Sequence, residues 1–268
     1  INKDLIGFTY SHKEYLSNDN LKFNMNFKKN VQTFSADNVA AIFRGSEFPD
    51  EYVILTAHLD HVGIQNGDIY NGADDNGSGT VAMLEIAEAF ALAKELGHTP
   101  KRSIVFLHVT AEERGLLGSE YYADYDPLVP INKTIANLNM DMMGRADPNR
   151  GIKNLNYVYV IGSDILSDDL HEINLEANEK FANLELDFRY NDINDPNQFY
   201  YRSDHYHFVK NNIPSIFYFS GVHEDYHKPT DTAEKILYEP YKRRVKLIFH
   251  TAWGLANRDE RIKVDNTL

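Results

Sequence analysis

The sequence predicts an α/β fold: a three-layer sandwich whose mixed, mostly parallel central sheet carries helices on both faces. Three observations predict it. Apolar runs of strand length alternate with helix-length segments along most of the chain. Several of those runs are apolar at nearly every position, as strands covered on both faces must be. Gly, Pro and Asn gather at 62–79, 144–154 and 191–198, which read as long loops between elements.

Residues 1–35 are polar, rich in Asn and Lys, and weakly patterned; they read as an N-terminal arm or the remnant of a missing upstream region. Residues 36–268 are expected to form one domain. NVAAIFRG (38–45) and YVILTAHLD (52–60) read as strands, the second as a central one. A helix is expected over 78–96, rich in Ala, Leu and Glu and closed by Gly97 and Pro100. SIVFLHVT (103–110) is a further buried strand, and 116–125 a short helix. TIANLNMD (134–141) and NYVYVIG (156–162) read as strands, 164–181 as a helix, IPSIFYFSG (213–221) as a strand and 233–257 as a long closing helix.

The 268 residues carry a formal net charge of −13, which argues against nucleic acid as a partner because phosphate binding needs clustered Lys and Arg. No apolar run approaches the length of a membrane span. With no cysteine, thiol nucleophiles, disulfides and thiolate metal sites are excluded, and any metal must be held by His, Asp and Glu. The chain starts at Ile1 with no signal-peptide pattern, so a processed or excised protein is expected, with targeting information missing.

In open α/β sheets, sites gather beyond the carboxyl ends of the strands. There the sequence places His58 and Asp60, then Asp74 and Asp75, Glu112 and Glu113, Asp141, and finally His227 and Asp231. Each has an ordinary structural explanation when taken alone, as a hydrogen-bonded histidine, a solvated turn or a cap. Their recurrence at one edge is the signal. His58 and Asp60, two apart, would share a face, which suits an acid orienting an imidazole. Asp74, Asn76, Ser78, Gly79 and Glu85 also match the spacing of a calcium loop, but a strand and a Gly-rich stretch precede them where an EF-hand needs a helix. Ser78 lacks the context of a hydrolase nucleophile elbow.

HLDHVG (58–63), NGADDNGSG (71–79), TAEERGLLGS (110–119), NMDMMG (139–144), RSDH (202–205) and DYHKPTDT (225–232) resemble, in order, the motifs of the co-catalytic zinc aminopeptidases of peptidase family M28. The resemblance covers roughly residues 38–257. It implies the zinc-peptidase form of the sandwich and two Zn²⁺ per chain, with Co²⁺ or Mn²⁺ as substitutes. His58 and Asp141 would ligate one zinc, Glu113 and His227 the other, and Asp75 would bridge them. Asp60 would orient His58, Glu112 would act as general base on a bridging water, Tyr226 would hydrogen-bond the substrate carbonyl, and Arg202 would hold substrate. A strained or cis Asp74–Asp75 peptide is also expected by resemblance.

Charge supports such a set. Two dications against three carboxylates and one hydroxide leave the ligand set neutral, as a partly buried site requires. The implied activity is removal of N-terminal residues from peptides or proteins. The alternatives are a glutaminyl cyclase on the same fold, a carboxypeptidase of the same family, or a metal-stabilised binding module. By resemblance to bacterial relatives, a secreted or periplasmic location is expected. Phe199, Tyr200, Tyr201 and Phe219 are candidates for either a pocket wall or the core.

Overall fold

The computed structural model describes residues 35–150, 154–192 and 194–267, together with Asn26, Lys28 and Thr33. The expected arm over 1–35 therefore lies almost wholly outside the described residues. Residues 36–268 form one compact unit.

Nine strands are seen among the described residues: β1 (Val39–Phe43), β2 (Phe48–His58), β3 (Ile64–Gln65), β4 (Asp68–Ile69), β5 (Arg102–Val109), β6 (Thr134–Met140), β7 (Tyr157–Ile161), β8 (Glu185–Asp187) and β9 (Ser215–Phe219). Seven of them form one sheet in the order β1-β5-β2-β6-β9-β7-β8, while β3 and β4 form a separate hairpin. The four central strands β5, β2, β6 and β9 pair parallel to one another; β1 and β7 join antiparallel to β5 and β9, and β8 pairs parallel to β7. The mixed, mostly parallel sheet is thus as the sequence predicts.

Three long helices cover one face. These are α1 (Gly79–Glu95), α2 (Asp168–Ala177) and α4 (Tyr238–Asn257). Each contributes an apolar stripe at helical spacing, such as Ala82, Met83, Ile86 and Phe90 from α1, or Leu247, Ile248, Ala252, Leu255 and Ala256 from α4. They pack on Val53 and Leu55 of β2, Phe106 of β5 and Leu138 of β6, all in one cluster. Gly97, at φ +88°, closes α1. Ser167 caps α2, its hydroxyl accepting from Leu170 N at 3.3 Å.

The opposite face is covered differently. A short turn of helix at Leu117–Glu120 and α3 (His205–Lys210) bury Tyr52, Ile54, Val105 and Leu107 together with Tyr122 and Phe208. Beside them lies an aromatic cluster of Tyr157, Tyr159, Phe199, Tyr200, Phe217 and Phe219. The third layer is therefore built largely from short turns and aromatic rings.

Boundaries moved in a few places. The predicted helix at 116–125 is α-helical only to Glu120 and continues as a wider turn to Tyr125. The one at 164–181 begins at Asp168, where Ser167 caps it, and widens after Ala177. The closing helix starts at Tyr238, after a separate turn at Ala233–Lys235. Strand β8 and the β3–β4 hairpin are too short to show a periodicity.

Phe90 joins α1 to the sheet and to α4. Its ring is fully buried and meets Phe43, Phe106, Phe249 and Trp253 at centroid distances of 5.1–6.1 Å. Phe90→Ala should lower unfolding free energy by about 3–5 kcal/mol, as for other buried aromatic truncations. Urea unfolding followed by fluorescence of Trp253, the chain's only tryptophan, measures it.

Candidate active site

Because β5, β2, β6 and β9 run parallel, their carboxyl ends share one edge, and the segments leaving them converge there. His58 is the last residue of β2, Glu112 and Glu113 follow β5, Asp141 follows β6, and His227 lies in the segment after β9. Asp75 comes from the loop before α1.

Asp75 lies between two groups of donors. Its Oδ1 is 3.4 Å from His58 Nε2, which is also 3.4 Å from Asp141 Oδ1. Its Oδ2 is 3.0 Å from His227 Nε2, which is 3.1 Å from Glu113 Oε2. One carboxylate thus presents one oxygen to each group. Two sets of donor atoms, from His58, Asp75 and Asp141 and from His61, Asp75, Glu113 and His227, each lie within 4.8 Å of one another. Among the described residues, His58 Nε2 and Asp141 Oδ1 are buried with no hydrogen-bond partner, which a cation between them would supply. Imidazole and carboxylate donors without sulfur suit zinc, so these residues fit the metal that the sequence implies.

The loop carrying Asp75 is held from several sides. The amides of Asp74 and Asp75 both donate to Asp231 Oδ2, at 2.9 and 3.2 Å. Asp74 accepts Gly144 N on Oδ1 at 2.5 Å, and its Oδ2 is 3.1 Å from His223 Nε2. Asn76 donates to Met140 O and accepts from Gly79 N, both at 2.9 Å. A Cβ on Gly79 would fall 2.3 Å from Met140 O, so only glycine lets α1 start so close to β6. The cis peptide lies at Asp75–Asn76, one bond beyond the expected Asp74–Asp75; the shared Asp231 contact holds the two preceding amides side by side.

This geometry also removes the calcium and nucleophile readings. Both Asp74 oxygens are engaged within the protein. Glu85 is exposed on α1, and Ser78 Oγ donates to Asp74 O while accepting from Met143 N.

Asp60 orients its partners in a way the sequence reading did not foresee. His58 Nδ1 bonds the Asp60 backbone carbonyl at 3.0 Å, while the nearest carboxylate oxygen is 3.9 Å away. The chain leaves the strand at His58, so the shared-face geometry expected of strand residues two apart ends there. The Asp60 carboxylate instead accepts the amides of Glu112 and Glu113, at 3.1 and 3.3 Å. One residue therefore fixes both the first histidine and the pair of glutamates.

Among the described residues, the Glu112 carboxylate has its imidazole contact with His58 Nε2, at 3.8 Å. Burial pushes its pKa up to about 9; His58 opposes this, while Asp141, Asp204 and Asp75 add to it. Burial alone would lower the His58 pKa, but contacts with Asp141 and Asp75 raise it well above its ordinary value. Contacts with Asp75 and Glu113 push His227 up to about 10. The acids thus favour positive charge in both groups.

Several contributors were not legible in advance. Asp141 Oδ2 accepts Ser203 Oγ at 2.7 Å, Ser203 Oγ accepts Asn139 Nδ2 at 2.8 Å, and Asn139 Oδ1 accepts Thr56 Oγ1 at 2.8 Å. Asp204, fully buried, accepts Ser119 Oγ at 2.6 Å and is pushed up to about 7 by burial, then by Asp141 and Asp60. The RSDH motif was a visible signal, but these partners are distant in sequence. Ala111, Met142 and His227 have positive φ (56°, 50° and 52°), a conformation uncommon for non-glycine residues.

Some of the donors line a pocket. Asp75, Glu112, Asp141 and His227 contribute to it together with the apolar side chains of Met142, Phe199, Phe217, Phe219 and Val222. Tyr226, stacked on His227 at 4.0 Å, and Arg202, whose guanidinium lies 5.1 Å from the Phe199 ring centroid, complete it. Of the four aromatic candidates, Phe199 and Phe219 line the pocket; Tyr200 is buried in the cluster behind it, and Tyr201 packs against that cluster.

A model of peptidase family M28 matches residues 38–252. A probable leucine aminopeptidase 2 of Aspergillus oryzae is 34% identical over 190 residues, 69% of this chain and 34% of that one. A solved zinc aminopeptidase from Bacillus subtilis superposes with a TM-score of 0.63 at 26% identity, covering 85% of this chain and 52% of the other. A glutaminyl cyclase from Porphyromonas gingivalis shares the fold at 20% identity and a TM-score of 0.58, over 80% of this chain and 76% of its own. The chain spans less than half the length of the curated relatives.

Replacing Asp231 with Ala leaves the buried amides of Asp74 and Asp75 without their acceptor. At about 1–3 kcal/mol for each orphaned donor, Asp231→Ala should cost about 2–6 kcal/mol in urea unfolding.

Proposed function

The chain belongs to peptidase family M28, and on that premise we propose that it is a zinc-dependent aminopeptidase that releases the N-terminal residue of peptides. The observation that carries this reading is Asp75, with one carboxylate oxygen facing each donor group and the uncommitted Glu112 beside it. His58, Asp75 and Asp141 would hold one zinc ion, and Asp75, Glu113 and His227 a second. When bound, zinc supplies a Lewis acid for the scissile carbonyl and lowers the pKa of water.

The remaining chemistry belongs to the side chains. Glu112 takes a proton on its carboxylate as water adds to the carbonyl, and delivers it to the departing amine. The Tyr226 phenol, on the pocket wall beside His227, donates a hydrogen bond to the developing oxyanion. The pocket's acids receive the substrate's free α-ammonium group. The walls of Met142, Phe199, Phe217, Phe219 and Val222 favour an apolar side chain on the residue released. Arg202 contributes to holding the substrate from the same pocket. The sharing of Asp75 by two donor groups supports an aminopeptidase with two metals over a cyclase with one.

Hydrolysis of aminoacyl-p-nitroanilides tests the reading. Zinc-loaded protein should release nitroaniline from apolar residues with free amino groups, and neither chelator-treated protein nor N-acetylated substrates should do so. Chelator-insensitive release, or equal cleavage of acetylated substrates, would refute it. Glu112→Gln should keep its metal content while kcat falls about 10²–10⁴-fold. Metal analysis paired with steady-state kinetics separates the two quantities.

A further inference from the structure

His61 has no part in the ligand set proposed above, yet it is built into that set. Its side chain is nine-tenths buried. Nδ1 lies 3.0 Å from Glu113 Oε1 and 3.9 Å from Asp75 Oδ2, and the ring meets His227 edge-on at 5.6 Å. Glu113 thus faces two imidazoles, Oε1 toward His61 and Oε2 toward His227. The room for the second ring comes from Gly72, where a Cβ would fall 2.6 Å from the His61 ring. Gly72 also has φ +62°, so the loop both turns at this position and leaves space for the imidazole.

We propose that His61 Nδ1 is a fourth protein donor to the metal at Asp75, Glu113 and His227, and that the two metal positions are consequently unequal. Donors about 2.0–2.2 Å from a tetrahedral zinc lie roughly 3.3–3.6 Å from one another. The His227 contacts of 3.0 and 3.1 Å and the His61 contacts of 3.0 and 3.9 Å bracket that spacing. This position then has two imidazoles and two carboxylates, whereas the His58 position has one imidazole and two carboxylates. The first zinc equivalent goes to the four-donor position and is the last to leave. A closed set of four protein donors is the pattern of a metal held firmly, and three leave a coordination place for water or substrate. The inference rests on the aminopeptidase reading only in taking the site as a zinc centre.

Two measurements test it. A crystal structure of the zinc-loaded protein, with the metals located by anomalous scattering, should show His61 Nδ1 about 2.0–2.2 Å from one of them. Zinc titration of the metal-free protein against a chromogenic chelator should show a tight first equivalent, weakened at least tenfold in His61→Ala, with the second equivalent little changed. His61→Asn distinguishes ligation from simple support of Glu113. Its amide can donate to Glu113 from near the Nδ1 position but is a poor zinc ligand, so it should behave like His61→Ala. A zinc–Nδ1 distance beyond 3 Å, or a first equivalent bound as tightly by His61→Asn as by the parent, would overturn the proposal. If that happens while chelator-sensitive aminopeptidase activity is present, the functional reading stands without it. If the protein takes up no zinc, both fall.

Discussion

Much of the site's geometry depends on one carboxylate being held in one place. Asp75 is the residue common to both donor groups. A single carboxylate can face both ways only if its backbone is fixed, because either imidazole alone would draw it to one side. Asp231, Asn76, Asp74 and His223 provide that fixation. Asp231 reaches the loop from the segment after β9, Asn76 ties it to the end of β6, and Asp74 ties it to Gly144.

The polar chain from Thr56 through Asn139 and Ser203 to Asp141 does comparable work inside the sheet. Buried hydroxyls and amides are costly unless every member is partnered, and here each link satisfies the next. The backbone hydrogen-bond ladders hold β6 between β2 and β9, and this chain fixes the rotation of Asp141. The long helices contribute as well. Tyr241 of α4 donates to Ser78 O, at the foot of the Asp75 loop, and Leu237 N donates to Gly144 O. The closing helix thus touches the same loop that the sheet edge supports.

The central strands and long helices were legible because their apolar patterns are long and their periods differ. The residues at the strand ends were legible for a simpler reason: parallel strands bring their carboxyl ends together whatever their distance in sequence. What could not be read was direction. Asp60 follows His58 by two, and sequence spacing alone suggested a carboxylate–imidazole contact. The chain leaves the strand at that point, so the carbonyl takes the role and the carboxylate turns to the glutamate amides. His61 was visible in HLDHVG but had no assigned role, since nothing in the spacing says that Gly72 leaves room for its ring. Ser119 and Asp204, 85 positions apart, meet only through the fold.

The late arrival of His227 has a consequence for how the molecule comes into being. The donors are spread from residue 58 to residue 227, and their convergence needs β9 in the middle of the sheet between β6 and β7. A nascent chain extended only as far as residue 200 has most of the acids but neither β9 nor the histidine that follows it. Such an intermediate would have an unfinished edge where the pocket is to form. Completion of the donor set therefore waits until β9 and the segment after it have been made.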